Sequence, residues 1–182
     1  MLDASAARLF RRFDLAEQGI CISLNRWCRA SAIRNYFVVV SRLGDGWIWY
    51  ALILSLPLTI ASHGVSRATQ FSATGAIGVA IYKFLKRRFV RERPFVSHLG
   101  IRVGTAPLDR YSFPSGHTLH AVCFAALFVF YFPLSAWFMA PLATSIAVSR
   151  VVLGLHYPTD VLVGALLGGG LAAVSIGVWP FP

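Results

Sequence analysis

Residues 158–178 read PTDVLVGALLGGGLAAVSIGV. A run of this length and apolarity matches the roughly 20 residues that a helix needs to cross the hydrocarbon core of a bilayer. Pro158 suits the first helical position, where its missing N–H is not required. Gly164, Gly168, Gly169 and Gly170 let neighbouring helices approach closely, and we read them as packing positions within one bundle rather than as a dimer face. Four more apolar segments precede this one: Trp47 to Ser62, Ala68 to Leu85, Ser115 to Phe132 and Leu134 to Leu153. Gly44-Asp45-Gly46 is a turn signal before the first of them, with Trp47 and Trp49 placed as interfacial anchors. Pro133 separates the third from the fourth, and Pro141 predicts a kink in the fourth. The pattern predicts an all-α, integral-membrane helical bundle of about five transmembrane helices.

Composition agrees. Of 182 residues 57% are hydrophobic and 13% charged, against roughly half and a quarter in an ordinary soluble domain. The net charge of +10 does not point to nucleic acid, because the basic residues flank apolar segments instead of interleaving with stacking aromatics on a polar surface. Cys21, Cys28 and Cys123 form no close pair and read as small apolar fillers. The first 20 residues carry charges throughout and do not resemble a cleaved signal peptide, so insertion rests on the internal spans. No linker divides the chain, which reads as one domain: an N-terminal amphipathic part, 1–43, and a transmembrane part, 44–182. In the former, Leu9, Phe10, Phe13, Ile20, Leu24 and Trp27 recur at roughly helical spacing between Arg8, Arg11, Arg12, Arg26 and Arg29. That suits helices lying in the membrane interface, a cap packed on the bundle being the alternative. Ile33 to Leu43 is too short and too charged for a span and is placed at the interface or half inserted.

Threading five spans through a bilayer gathers three polar segments on one face. Segment 86–94 reads KRRFVRERP, setting Lys86 and Arg93 seven residues apart and on one helix face if the helix continues; Pro94 predicts a helix end there. Lys and Arg supply the fixed charge and forked donors that a phosphate needs, though basic clusters also mark the cytoplasmic ends of spans. Segment 114–117 reads PSGH directly before an apolar helix, so free N–H groups and the positive helix end make an anion site, or an ordinary cap. Ser115 adds a hydroxyl, Gly116 permits close backbone approach, and His117 titrates near neutrality. His120 stands one turn after His117, but no carboxylate or Cys accompanies the pair, so we expect a packing or hydrogen-bonding role and no metal. Segment 149–160 reads SRVVLGLHYPTD, in which Asp160 can reach back toward His156 to fix the imidazole tautomer.

Taken together, Lys86-x6-Arg93-Pro94, Pro114-Ser115-Gly116-His117 and Ser149-Arg150-x5-His156-x3-Asp160 resemble the three-part signature of the type 2 phosphatidic acid phosphatase (PAP2) superfamily. All parts are present, in order and without substitution, and the resemblance covers about residues 45–178. The superfamily also holds soluble acid phosphatases and vanadium haloperoxidases; the apolar spans favour its membrane lipid phosphatases. The resemblance implies a six-helix core, met here if Ile33 to Leu43 or the amphipathic segment counts as a helix. It implies that His156 is the nucleophile, forming a phosphohistidine, and that Asp160 orients it. His117 would protonate the leaving oxygen and then activate water, while Lys86, Arg93, Ser115, Gly116 and Arg150 cradle the phosphoryl oxygens. Neutral His156 and protonated His117 are needed together, which predicts a bell-shaped pH dependence. No metal or other cofactor is expected, because the cationic side chains supply the charge. The expected partners are the bilayer and a lipid phosphate: phosphatidylglycerophosphate, phosphatidic acid, or a polyprenyl mono- or diphosphate. Transfer of the phosphoryl group to another lipid, or a non-catalytic scaffold, are the other uses of such a pocket.

Basic residues are spread unevenly. Seven Arg precede Trp47 and seven Lys or Arg lie in 86–110, whereas the opposite face holds Arg67. The positive-inside rule then predicts a cytoplasmic N-terminus and a cytoplasmic site in a bacterial-type inner membrane.

Overall fold

The computed structural model describes the backbone of residues 4–60 and 62–179 and the side chains of 12–60 and 62–179. Among the described residues the architecture is all-helical. Helix α1 (Ala4–Asn25) leads through a 3₁₀ turn, Arg26–Arg29, into α2 (Ser31–Leu43) and α3 (Trp47–Thr59). Then come α4 (Gly64–Arg88), the one-turn α5 (Pro94–Ser97), α6 (Gly116–Tyr131), α7 (Ala136–Val152) and α8 (Pro158–Val178). Each of the five expected spans is a helix. Among the described residues two segments qualify as spans by length and apolarity, Pro133–Val152 and Pro158–Val178; α2 and α3, bent by 46° at the Gly44–Gly46 turn, pass the same test only when taken together as one broken span or re-entrant loop. The segment Ile33 to Leu43 is thus the first limb of a broken apolar rod. Helix α6 is apolar but 16 residues long. Helix α4 is long enough at 25 residues, but Gln70 and Thr74 dilute its apolarity because they face inward, where both are buried.

Helix α6 stands at the centre, packed against α4, α7 and α8. Between helices in lipid the hydrophobic effect adds little, since acyl chains are as apolar as Leu, so close packing and interhelical hydrogen bonds hold the bundle. Both are present. A β-carbon on Gly164 would lie 2.6 Å from Ser115 O, and one on Gly168 2.3 Å from Leu119 O, so these two positions let α8 touch the α6 backbone; Gly170 has nothing within 4 Å. Phe71, Phe124, Leu127 and Ile146 fill the middle of the bundle. At the end remote from His156, Gln70 Nε2 donates to Ser175 O (3.2 Å) and Oγ (3.1 Å), Thr74 and Ser175 hydroxyls meet at 2.8 Å, and Tyr131 O–H donates to Gln70 Oε1 (2.7 Å). This network ties α4, α6 and α8 with every polar group paired.

Helix α1 departs from the expected interfacial stripe. Phe13, Ile20 and Trp27 do face outward, but the side turned to the bundle carries Glu17, Cys21 and Asn25, all buried. Asn25 Nδ2 donates to Arg102 O and Val152 O, each at 2.9 Å, and its Oδ1 accepts from Arg102 N at 2.8 Å. The N-terminal helix therefore braces the 98–112 loop and the end of α7 through polar contacts. Leu9, Phe10, Arg8 and Arg11 lie outside the residues whose side chains are described. All three cysteines are free and buried.

Candidate active site

Two helix starts and one helix end converge at the same end of the bundle. Two residues past the end of α7 stands Gly154, whose φ of +74° is open to glycine at little cost, and the N–H groups of Leu155 and His156 both turn back to Arg150 O at 3.0 Å. This turn swings His156 inward. Helix α8 then begins at Pro158, and the Asp160 carboxylate caps it by accepting from Tyr157 N at 2.9 Å. Ser115 caps α6, and its backbone N–H donates to Asp160 O at 3.1 Å, which stitches the two helix starts together.

His156 is 1% exposed. Its Nε2 lies 3.3 Å from Arg93 Nη1. A guanidinium donor needs a lone pair there, so the imidazole proton sits on Nδ1. Nδ1 faces Asp160 Oδ2 at 3.5 Å, longer than a hydrogen bond, and has no hydrogen-bond partner. Burial, then the charges of Arg93, Arg150 and Lys86, push the His156 pKa well below its ordinary value and keep the ring neutral. His117 Nε2 meets Asp45 Oδ1 at 2.6 Å.

Three buried cations surround His156. Arg93 is pinned by its Nε to Asp109 O and Arg110 O and by Nη1 to Leu155 O (2.7 Å). Lys86 Nζ donates to Tyr111 O (2.6 Å) and lies 3.6 Å from Asp109 Oδ2. Its pKa is pushed down to about 8, by burial first and Arg93 second. Arg150 donates from Nη1 to Ser41 Oγ, while its buried Nε has no hydrogen-bond partner. A buried guanidinium N–H left unpaired is costly. Arg150 with its unpaired N–H, Lys86 and Arg93 form a cluster of buried positive charge that an anion would complement.

The structure thus gathers Lys86, Arg93, Ser115, Gly116, His117, Arg150, His156 and Asp160 at one end of the bundle. The condition for Lys86 and Arg93 to share a helix face, a helix continuing between them, is not met. Helix α4 stops at Arg88, Phe89 leaves the helix, and Arg93 is delivered by an irregular segment. Pro94 opens α5 instead of closing α4, as suits a residue without an N–H. Ser115 is turned to Thr118, its Oγ 3.0 Å from Thr118 Oγ1. His120 is aimed at backbone oxygens, Gly116 O (3.0 Å) and Gly75 O (3.2 Å). Among the described residues no three His, Cys, Asp or Glu side chains form a metal-ligand group.

Sequence reasoning missed Asp45, read as turn chemistry, and Arg91, which is buried and donates to Asp160 Oδ1 at 2.6 Å. Arg91 lies within KRRFVRERP and nothing local separates it from its basic neighbours. A cavity of about 680 Å³ adjoins the site, lined by Gly116, His117 and Asp109 and by the apolar side chains of Ile53, Phe71 and Phe124.

The fold and site thus define an all-helical membrane protein with histidines and buried cations gathered at one end of the bundle. The sequence pattern of the PAP2 superfamily matches residues 67–181, and the chain belongs to that superfamily. It is 35% identical over 138 residues to the decaprenylphosphoryl-5-phosphoribose phosphatase of Mycobacterium tuberculosis, covering 74% of each chain. The fold is similar to the crystal structure of Aquifex aeolicus LpxE, with a TM-score of 0.78 at 23% identity over 89% of this chain and 95% of that one. It is also similar to a transmembrane PAP2 type phosphatidylglycerolphosphate phosphatase from Bacillus subtilis, with a TM-score of 0.63 at 22% identity over 95% and 93%.

Proposed function

We propose that this protein hydrolyses a lipid phosphate at the membrane surface through a phosphohistidine on His156. One observation carries the reading: the Nε2 lone pair of a neutral, buried imidazole stands among Lys86, Arg93 and Arg150, one of whose guanidinium N–H groups lacks a partner. In this reading Nε2 attacks phosphorus and the bond to the lipid oxygen breaks. His117 gives that oxygen a proton, and Asp160 stabilises the charge that develops on His156. Water then attacks phosphorus, the P–N bond to His156 breaks as the new P–O bond forms, His117 takes the water proton, and inorganic phosphate leaves with His156 restored. Lys86, Arg93, Arg150 and the Ser115–Gly116 helix start hold the phosphoryl oxygens, and no metal is needed.

The cavity beside His117 supports an apolar tail lying along α3 and α4. Among the candidate lipids we favour a polyprenyl-linked phosphate, supported by the name of the M. tuberculosis relative. We further place the site on the cytoplasmic face of an inner membrane. Support comes from the exposed residues Arg26, Arg29 and Arg34, on segments that pack near the site end of α7, and from Arg67, which covers the Tyr131 ring at the other end.

Phosphate release by purified protein from polyprenyl phosphates, phosphatidic acid and phosphatidylglycerophosphate tests the reaction. We expect the polyprenyl substrate to react fastest, full activity in excess EDTA, and inhibition by vanadate. Activity lost on chelation and restored by magnesium or zinc would overturn it. For orientation, Leu99→Cys at a fully exposed loop position should resist an impermeant maleimide in intact cells and react after lysis.

A further inference from the structure

Helix α1 lies outside the matched stretch 67–181, yet it reaches the site through Arg91. This side chain is 2% exposed. Its Nε donates to Asp14 Oδ1 (2.8 Å), its Nη2 to Glu17 Oε2 (3.0 Å), and its Nη1 to Thr159 Oγ1 (2.7 Å) and Asp160 Oδ1 (2.6 Å). The guanidinium also lies 4.0 Å over the Tyr157 ring. Glu17 reaches past Arg91, with Oε1 accepting from Thr159 N and Oε2 from Thr159 Oγ1, both at 2.9 Å. The first turn of α8, which carries Asp160, is therefore gripped directly by Glu17 and again through Arg91.

The consequence falls on Asp160. Its Oδ1 is held by Arg91 and its Oδ2 by Tyr157 N, so both oxygens are aimed before His156 makes any bond to them. A membrane anchor would not need acidic residues turned inward on α1, and gathering three carboxylates around one guanidinium, with Glu17 and Asp160 buried and Asp14 partly so, is a poor way to gain stability, because desolvation offsets the attraction. Its gain is geometric. An Arg fork bound on several sides cannot rotate, and neither can the carboxylate attached to it.

We propose that Arg91, clamped by Glu17 and Asp14 of α1, is a positioning residue that sets Asp160 against His156, making the N-terminal helix a working part of the site. This rests on the proposed reaction at His156. Because Arg91 stands behind Asp160, its loss should lower kcat and spare KM.

The test is a set of single and double variants in the phosphate-release assay, with His156→Ala as control. Arg91→Gln should lower kcat by about 10²-fold with KM nearly unchanged, the scale expected when a reacting group is misplaced by about 1 Å. In an Asp160→Asn background the same change should cost less than about twofold, because residues acting as a unit are not additive. Glu17→Gln, which keeps shape and is the fallback if Arg91→Gln does not fold, should lower kcat about tenfold and likewise have little effect beside Asp160→Asn. Wild-type kcat in either variant, a loss confined to KM, or a full additional loss in the Asp160→Asn background would overturn the proposal while His156→Ala stays inactive. Full activity of His156→Ala would instead overturn the reaction, and the positioning role with it.

Discussion

His156 and Asp160 stand four residues apart at the start of α8, fully buried, with 3.5 Å between Nδ1 and Oδ2. His117 and Asp45 stand 72 residues apart, join at 2.6 Å, and keep 11% and 31% of their side chains exposed. The first pair is built by local rules: a proline at the first helical position, a carboxylate at the third that caps the helix, and the residue before the cap brought alongside. Its carboxylate is shared with Arg91 and Tyr157 N, so the histidine receives the field of a fixed charge but no short bond. The second pair joins the first turn of α6 to the bend between α2 and α3. It closes only when the α2–α3 bend is seated on α6, beside the cavity that both residues line. The difference shows two ways of orienting an imidazole: one set by a helix start, the other by the docking of a separate element.

Substitutions can break this contrast. The largest effect should come from His156→Ala, with phosphate release abolished and the thermal midpoint in detergent kept; activity within tenfold of wild type would remove His156 as nucleophile. Asp160→Asn should follow, with kcat reduced by about 10²- to 10⁴-fold, since a misoriented or wrong-tautomer imidazole can cost that much. Asp45→Asn should cost less, about tenfold to 10²-fold, because it sits at a partly solvated position and the amide oxygen still accepts from an imidazole N–H. Equal losses for the two aspartates would erase the distinction between the pairs. Gly154→Ala probes the local pair alone: an added β-carbon would lie 2.6 Å from Ile101 Cγ2 at a positive φ. We expect a loss of about 1–3 kcal/mol in thermal or denaturant stability, the scale of backbone strain and overpacking, with the His117–Asp45 bond unaffected.

The smallest effect should be a pH limb. Lys86 is depressed to about 8 by burial and Arg93, and it binds an anion only while charged. In the free protein the charged fraction falls as pH rises through that value, so kcat/KM should decline on the alkaline side near pH 8. A bound phosphate favours the charged form, which places the corresponding limb of kcat higher. Lys86→Arg should move the kcat/KM limb upward by one unit or more. An unmoved limb would show that another group sets it.

The helical spans, their breaks at Pro133 and Gly44–Gly46, and the gathering of three polar segments at one end were legible because each rests on local pattern. Apolar run length sets a span, a proline or glycine ends it, and threading consecutive spans alternates their ends. The pair His156 and Asp160 was legible for the same reason. What tertiary structure alone decided lies off the local grid. The α4 helix stops at Arg88, so Arg93 arrives through contacts with Asp109, Arg110 and Leu155 backbone oxygens that no heptad spacing encodes. Asp45 reads as turn chemistry because Gly44 and Gly46 flank it, and only the seating of α2 and α3 on α6 reveals its histidine. Arg91 is one basic residue among several in its segment, distinguished by burial and by Glu17 and Asp14 from a helix more than 70 residues upstream. Periodicity reports which residues share a face of α1 but not what covers that face. Phe13 and Ile20 face outward and Glu17 faces the bundle, where the α8 first turn and the Arg91 guanidinium supply the hydrogen-bond donors that a buried carboxylate requires.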